Sequence, residues 1–165
     1  MIVSNETIVK ELFHVKRSAG FDLETFLPYR LSVTTNRVSR AFAAHYEQEF
    51  GISIPEWRAI AVLGAFAPLS SNEICERTAM DKAKVSRAVA TLLKRGLIER
   101  EAHQTDQRLI QLTLSKAGRK IYEAIIPRAR AIEAQVTKGL SKADIAHLHR
   151  MLDRIGARLD EVESD

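Results

Sequence analysis

Residues 81–97 read DKAKVSRAVATLLKRGL, and the fold turns on this stretch. Asp81 suits a helix start, because its carboxylate accepts bonds from the free N–H groups of a first turn. Gly96 suits the stop, because glycine takes the left-handed conformation that helix ends favour. Between them Val85, Ala88, Val89, Leu92 and Leu93 recur at helical spacing and form one apolar stripe. The opposite side carries Lys82, Lys84, Ser86, Arg87, Thr91 and Lys94. The pattern predicts a helix with its back in a core and a basic, hydrogen-bonding face turned outward. Such a face suits DNA, whose phosphates and base edges meet Lys, Arg and Ser. Taken alone, it suits solvent equally well.

The flanking sequence narrows the choice. Upstream, Ser53 and Glu56 frame a capping box with Pro55 in the first turn. The helix they open carries Trp57, Ile60, Ala61 and Leu63 and ends near Ala67-Pro68. Ser70 and Glu73 form a second capping box, opening a short helix with Ile74 inward that ends near Met80. Two short helices, a turn (TAMD, 78–81) and a third helix with a polar outer face are helix-turn-helix grammar. Downstream the period changes. Leu97 to Arg100 is one strand candidate. Leu109 to Leu114 is another, with Ile110, Leu112 and Leu114 on one side and Gln111 and Thr113 on the other. The polar run EAHQTDQR (101–108) joins them. A hairpin directly after a helix-turn-helix predicts a winged helix.

Longer helices lie outside this lobe. From Asp22 to Phe50, Leu23, Phe26, Leu27, Leu31, Val38, Phe42, Tyr46 and Phe50 recur at three- and four-residue steps. Pro28 marks an alternative start for that helix, and Gly51 closes it. Ser115 opens a helix that continues to about Gly139, with Pro127 inside it as an expected kink. Ser141 and Asp144 cap a last helix, whose stripe is Ile145, Leu148, Met151, Leu152, Ile155 and Leu159. So much long apolar helix needs more partner surface than one small lobe supplies. The predicted class is mainly α: a winged helix-turn-helix with a small β-hairpin wing and long N- and C-terminal helices. The expected division is an arm over 1–21, a long-helix region over 22–52 and 115–165, and a winged helix-turn-helix lobe over 53–114.

Composition sets outer limits. The chain has 165 residues, 45% of them hydrophobic, enough for a core. A formal net charge of +4 and a pI of about 9.4 favour a polyanionic partner. The segment from Asp81 to Arg108 carries seven Lys/Arg against four Asp/Glu, a modest excess that favours reading by geometry as well as charge. One cysteine, Cys75, excludes an intramolecular disulfide and fits a reducing cytoplasm, the expected location. No apolar run approaches a membrane span, so no membrane partner is expected. A Gly-rich phosphate loop, HExxH and GxSxG are all absent, so no enzyme, cofactor or metal site is expected.

The chain resembles the MarR family of transcriptional regulators. The residues that carry the resemblance are LLKRGLIER (92–100) and then DQRLIQLTLSKAG (106–118), the latter like the family's wing signature. Gln107 departs from it, standing where many members carry Arg. The runs FLPYRLSV (26–33), GISIPEWR (51–58) and TAMDK (78–82) resemble a subgroup, some of whose members sense aromatic acids or their coenzyme A thioesters. The resemblance implies a homodimer, with long N- and C-terminal dimerisation helices over 22–52 and 115–165 and a DNA-binding lobe over 53–114, whose two basic helices enter successive major grooves of a pseudo-palindromic operator. It implies base contacts for Ser86 and Arg87 and phosphate contacts for Lys82 and Lys84. It places Arg108 in or beside the minor groove, with Asp106 orienting it through an ion pair. His103, Gln104 and Gln107 are expected on the DNA backbone. The expected function is repression, released by a small aromatic or acyl ligand.

Four further residues are candidates for that ligand. Trp57 and Arg58 open the helix beside which the family's ligand cleft lies, and Trp57 reads equally as core packing. Arg37 and Arg40 on the first long helix suit a carboxylate or phosphate, and suit a surface or dimer contact equally. Cys75 gives two readings, a redox switch or a small core residue; a regulator without a ligand is the related alternative. A winged-helix protein-interaction module is the rival from another class.

Overall fold

The computed structural model describes residues 21–102 and 110–162. In chain order its elements are α1 (Leu27–Phe50), α2 (Ile54–Phe66), α3 (Ser71–Thr78), α4 (Lys82–Lys94), β1 (Ile98–Ala102), β2 (Ile110–Leu114), α5 (Lys116–Val136) and α6 (Lys142–Val162). The chain divides into two compact units, 1–38 and 39–165.

In the first unit Asp22 holds a turn: its carboxylate accepts the Glu24 N–H at 3.1 Å and its carbonyl accepts the Thr25 hydroxyl at 3.2 Å. Phe21 meets Phe26 edge-on, with ring centroids 4.9 Å apart. The regular helix begins at Leu27 rather than Asp22, with Pro28 in its first turn, where a missing N–H costs nothing. Leu23, Phe26, Leu27 and Tyr29 remain exposed.

The second unit holds the core. Ile52, Ile60, Leu63, Ile74, Val85, Leu92, Ile98 and Leu112 are its fully buried large side chains, drawn from the α1–α2 connection, α2, α3, α4 and the hairpin. Local signals place these elements as the sequence predicts. The Ser53 N–H donates to Glu56 Oε2 at 2.7 Å. The Ser70 N–H donates to Glu73 Oε2 at 2.7 Å, while the Glu73 N–H donates to Ser70 Oγ at 3.3 Å. Ala79 adopts φ 51° at the end of α3, a left-handed residue that turns the chain sharply before Met80 enters the core.

The hairpin pairs antiparallel, from Ile98↔Leu114 to Ala102↔Ile110. The first strand therefore starts one residue later than Leu97 and runs two beyond Arg100. Leu112 is buried and Leu114 half-buried, whereas Ile110 is 53% exposed at the outer end of the hairpin. Of the expected apolar side only Leu112 is buried, while the polar Gln111 and Thr113 are half-buried like Leu114, so the alternation does not carry through to burial. Leu69 adds a bridge that the sequence does not signal: its N–H donates to the Leu112 carbonyl at 3.1 Å, and the Leu112 N–H returns the bond at 2.8 Å.

At the hairpin's base, Ser115 is buried; its hydroxyl donates to the Gly96 carbonyl at 2.7 Å and accepts the Gly118 N–H at 3.1 Å. Gly118 has no room for a side chain, since a Cβ would lie 1.9 Å from the Leu97 carbonyl oxygen. Helix α5 then runs unbroken through Pro127, with Ile125 and Ile132 buried on either side. The expected kink does not interrupt the helix, which loses only the one N–H that proline lacks. Helix α6 contains no buried residue, and Leu148, Leu152 and Leu159 of its stripe are exposed.

Two outcomes follow from this core. Gly118→Ala should destabilise the protein by roughly 3 kcal/mol, because the clash is with backbone that cannot rotate away; urea titration checks this, and an unchanged midpoint would contradict it. Tyr46 is buried, and that burial, reinforced by the Glu47 charge and partly offset by Arg58, pushes its hydroxyl from 10.0 up to about 12. The folded state thus holds this proton more tightly than the unfolded chain. Its contribution is complete below pH 10.0 and is lost as pH rises through about 12. Urea midpoints should fall less steeply between those values in Tyr46→Phe than in the parent protein.

Candidate nucleic-acid interface

Helix α4 has the two-sided character expected of it. Val85, Ala88, Val89 and Leu92 are buried and Leu93 is half-buried, while Lys82, Lys84, Ser86, Arg87, Ala90, Thr91 and Lys94 are exposed. The outer face is therefore continuous along the whole helix. The Thr91 hydroxyl bonds back to the Arg87 carbonyl at 3.0 Å, leaving Arg87 and Ser86 in the helix's first half to project from a regular backbone.

The helix N-terminus is organised by Asp81. Its Oδ1 accepts the Lys84 N–H at 2.8 Å, and its Oδ2 lies 2.9 Å from Lys84 Nζ. The Lys84 side-chain bond, then the Lys84 backbone bond, hold the Asp81 carboxyl below its usual range, and the Arg87 charge adds to this. Lys84, expected on phosphate, is thus folded back on its own cap, and a phosphate would have to compete with that exposed ion pair. Lys82, Ser86 and Arg87 share the exposed first half of the helix with it.

Arg95 is the residue that sequence reasoning missed. It is the C-cap of α4, and its guanidinium forks onto the end of α1: Nη1 donates to the Gly51 carbonyl and Nη2 to the Phe50 carbonyl, both at 2.7 Å. An arginine beside a closing glycine signals a helix end, but not a partner more than 40 residues away.

The hairpin is positioned beside α4 by the Leu97 N–H to Leu92 carbonyl bond at 2.9 Å and the Ser115 N–H to Leu97 carbonyl bond at 3.1 Å. Its expected DNA contacts, His103, Gln104, Gln107 and Arg108, and the supporting Asp106 lie outside the described residues.

The ligand candidates fall in different settings. Trp57 is half-buried and packs between two tyrosines, with ring centroids 5.7 Å from Tyr46 and 6.3 Å from Tyr122. Arg58, also half-buried, donates to Ser39 Oγ at 3.2 Å. Arg37 and Arg40 are exposed on α1. Cys75 is half-buried against the core, and no group of three or more metal-ligating side chains occurs among the described residues. No described helix is long and apolar enough to cross a membrane.

A model of the MarR family matches residues 50–109, from the end of α1 to the threshold of β2. The fold is similar to that of a MarR/EmrR family transcriptional regulator from Acinetobacter sp. ADP1, with a TM-score of 0.79 and 27% identity over 86% of this chain and 99% of that one. A probable transcriptional regulator from Pseudomonas aeruginosa is 32% identical, with a TM-score of 0.69, over 81% of this chain and 99% of its own. Among curated relatives, the HTH-type transcriptional repressor IacR of Pseudomonas putida is 23% identical over 150 residues, 89% of this chain and 87% of IacR. The exposed basic helix, the hairpin and these likenesses converge: the chain belongs to the MarR family of transcriptional regulators.

Proposed function

We propose that this protein is a homodimeric repressor that reads a pseudo-palindromic duplex through α4 and the hairpin, and that a small aromatic or acyl ligand releases it. One observation carries the DNA reading: α4 buries one stripe and exposes Lys82, Ser86, Arg87 and Thr91 along a single uninterrupted face. A helix so held presents its N-terminal half to a major groove, with Arg87 and Ser86 at base edges and Lys82 at phosphate. The similarity to a curated repressor supports the sign of regulation.

The homodimer rests on exposed apolar surface. Leu148, Leu152, Leu159 and Val162 of α6 face solvent in the single chain, as do Leu23, Phe26 and Leu27 at the other end of the sequence. Hydrophobic surface in such amounts on long helices favours a second copy of the same helices. Two copies would set two α4 helices about one turn of duplex apart. The ligand reading rests on the subgroup resemblance and on the aromatic group Tyr46, Trp57 and Tyr122 near the Arg58 guanidinium. A bound ligand would favour dimer geometries whose α4 separation no longer matches the grooves.

Duplexes enriched from a random pool by the parent protein provide the test substrate. Arg87→Ala should weaken binding to them by about 10- to 100-fold, the usual cost of a lost base contact. Lys82→Ala should weaken specific and non-specific duplexes alike and reduce the salt slope by about one. An Arg87→Ala protein that binds the enriched duplex as the parent does would remove the base-reading role. For the release step, aromatic acids and their coenzyme A thioesters are added to the preformed complex. Relief by a compound supports the ligand reading, and relief by none of them overturns it.

A further inference from the structure

The end of helix α1 and the end of α4 are joined by one side chain. Gly51, at φ +60°, turns the chain back at the α1 terminus, and the final carbonyls of α1 meet the Arg95 guanidinium. Both bonds are short at 2.7 Å, and they engage two successive carbonyls at the negative pole of a 24-residue helix. Arg95 Nη1 also lies 4.0 Å from Glu56 Oε2, the buried carboxylate that caps the start of α2 through the Ser53 N–H. One side chain rooted at the terminus of α4 thus reaches the terminus of α1 and the first turn of α2. Also in the last turn of α1, Arg128 of α5 pairs with Glu49 at 2.6 Å and lies over the Phe50 ring at 5.5 Å. The last turn of α1 is therefore held from both α4 and α5.

A helix fixed at one end by packing alone can still pivot, because an apolar stripe resists separation more than rotation. A planar fork on two carbonyls removes that freedom, since both bonds are satisfied only at one angle. We infer that Arg95 is a positioning residue for DNA recognition: it sets the angle of α4 against α1 and thereby the half-site spacing that the dimer accepts. The inference rests on the dimeric DNA reading above. It assigns Arg95 no contact with DNA; the residue acts through the helix it terminates.

The test is a pair of selections from random duplex pools, one with the parent chain and one with Arg95→Met, which keeps much of the apolar stem and loses both donors. Arg95→Lys, which keeps the charge but cannot fork, runs in parallel and carries the test if the methionine variant fails to fold. The parent should enrich palindromes of a single half-site spacing. Arg95→Met should enrich spacings that differ by a base pair or more and should bind the parent's best duplex roughly tenfold more weakly, while non-specific binding is unchanged. Lysine should fail to restore the single spacing. General destabilisation would lower the amount of active protein without widening the spacing distribution. If both variants enrich the parent's spacing alone, the positioning role is overturned. If the parent enriches no duplex at all, the DNA reading itself falls and this inference with it.

Discussion

Val85, Ala88, Val89 and Leu92 are withdrawn from water on one side of α4, and that burial determines where every other side chain of the helix points. Each large apolar side chain so buried contributes on the order of 1.5–3 kcal/mol, far more than any exposed ion pair on the opposite face. The basic face is thus a consequence of core packing rather than of charge. Ser86, Arg87 and Thr91 are left outward because α2, α3 and the hairpin occupy the other side of the unit's core. The modest net charge of the segment fits this arrangement, since a rigidly presented helix depends less on a large positive field for its specificity.

The polar interactions refine what packing establishes. Asp81 closes the start of α4 and draws Lys84 back onto itself, so the first turn carries an internal ion pair beside the residues proposed for base contact. Ser115 and the bare Gly118 allow the second strand to pass directly into α5 against the Leu97 backbone. Arg95, at the far end of α4, satisfies carbonyls of another helix, and so ties that end to the α1 terminus, a partner distant in the chain. Both ends are consequently tied, one locally and one across the fold.

Local chemistry was legible in the sequence where its cause was local. The capping boxes at Ser53 and Ser70, the Asp81 cap and the Gly51 and Gly96 stops each depend on residues within a few positions of one another, and each forms as read. What escaped depends on distant segments. The Arg95 fork needs Phe50 and Gly51, the Leu69 bridge needs Leu112, and the placing of Trp57 between Tyr46 and Tyr122 joins three helices. Lys84 shows a different limit. A lysine three residues from an aspartate suits phosphate contact and intrahelical pairing equally, and only the side-chain geometry distinguishes them. The expected wing contacts His103, Gln104, Gln107 and Arg108, with Asp106 as support, fall on positions outside the described residues.

In the proposed complex two copies of α4 meet one duplex in successive major grooves. Hydroxyl-radical footprinting on a duplex enriched by the parent protein tests it most directly. Two protected segments are expected on one face of the duplex, their centres about one helical turn, or roughly 10 base pairs, apart. A single protected segment, or two on opposite faces, would contradict it.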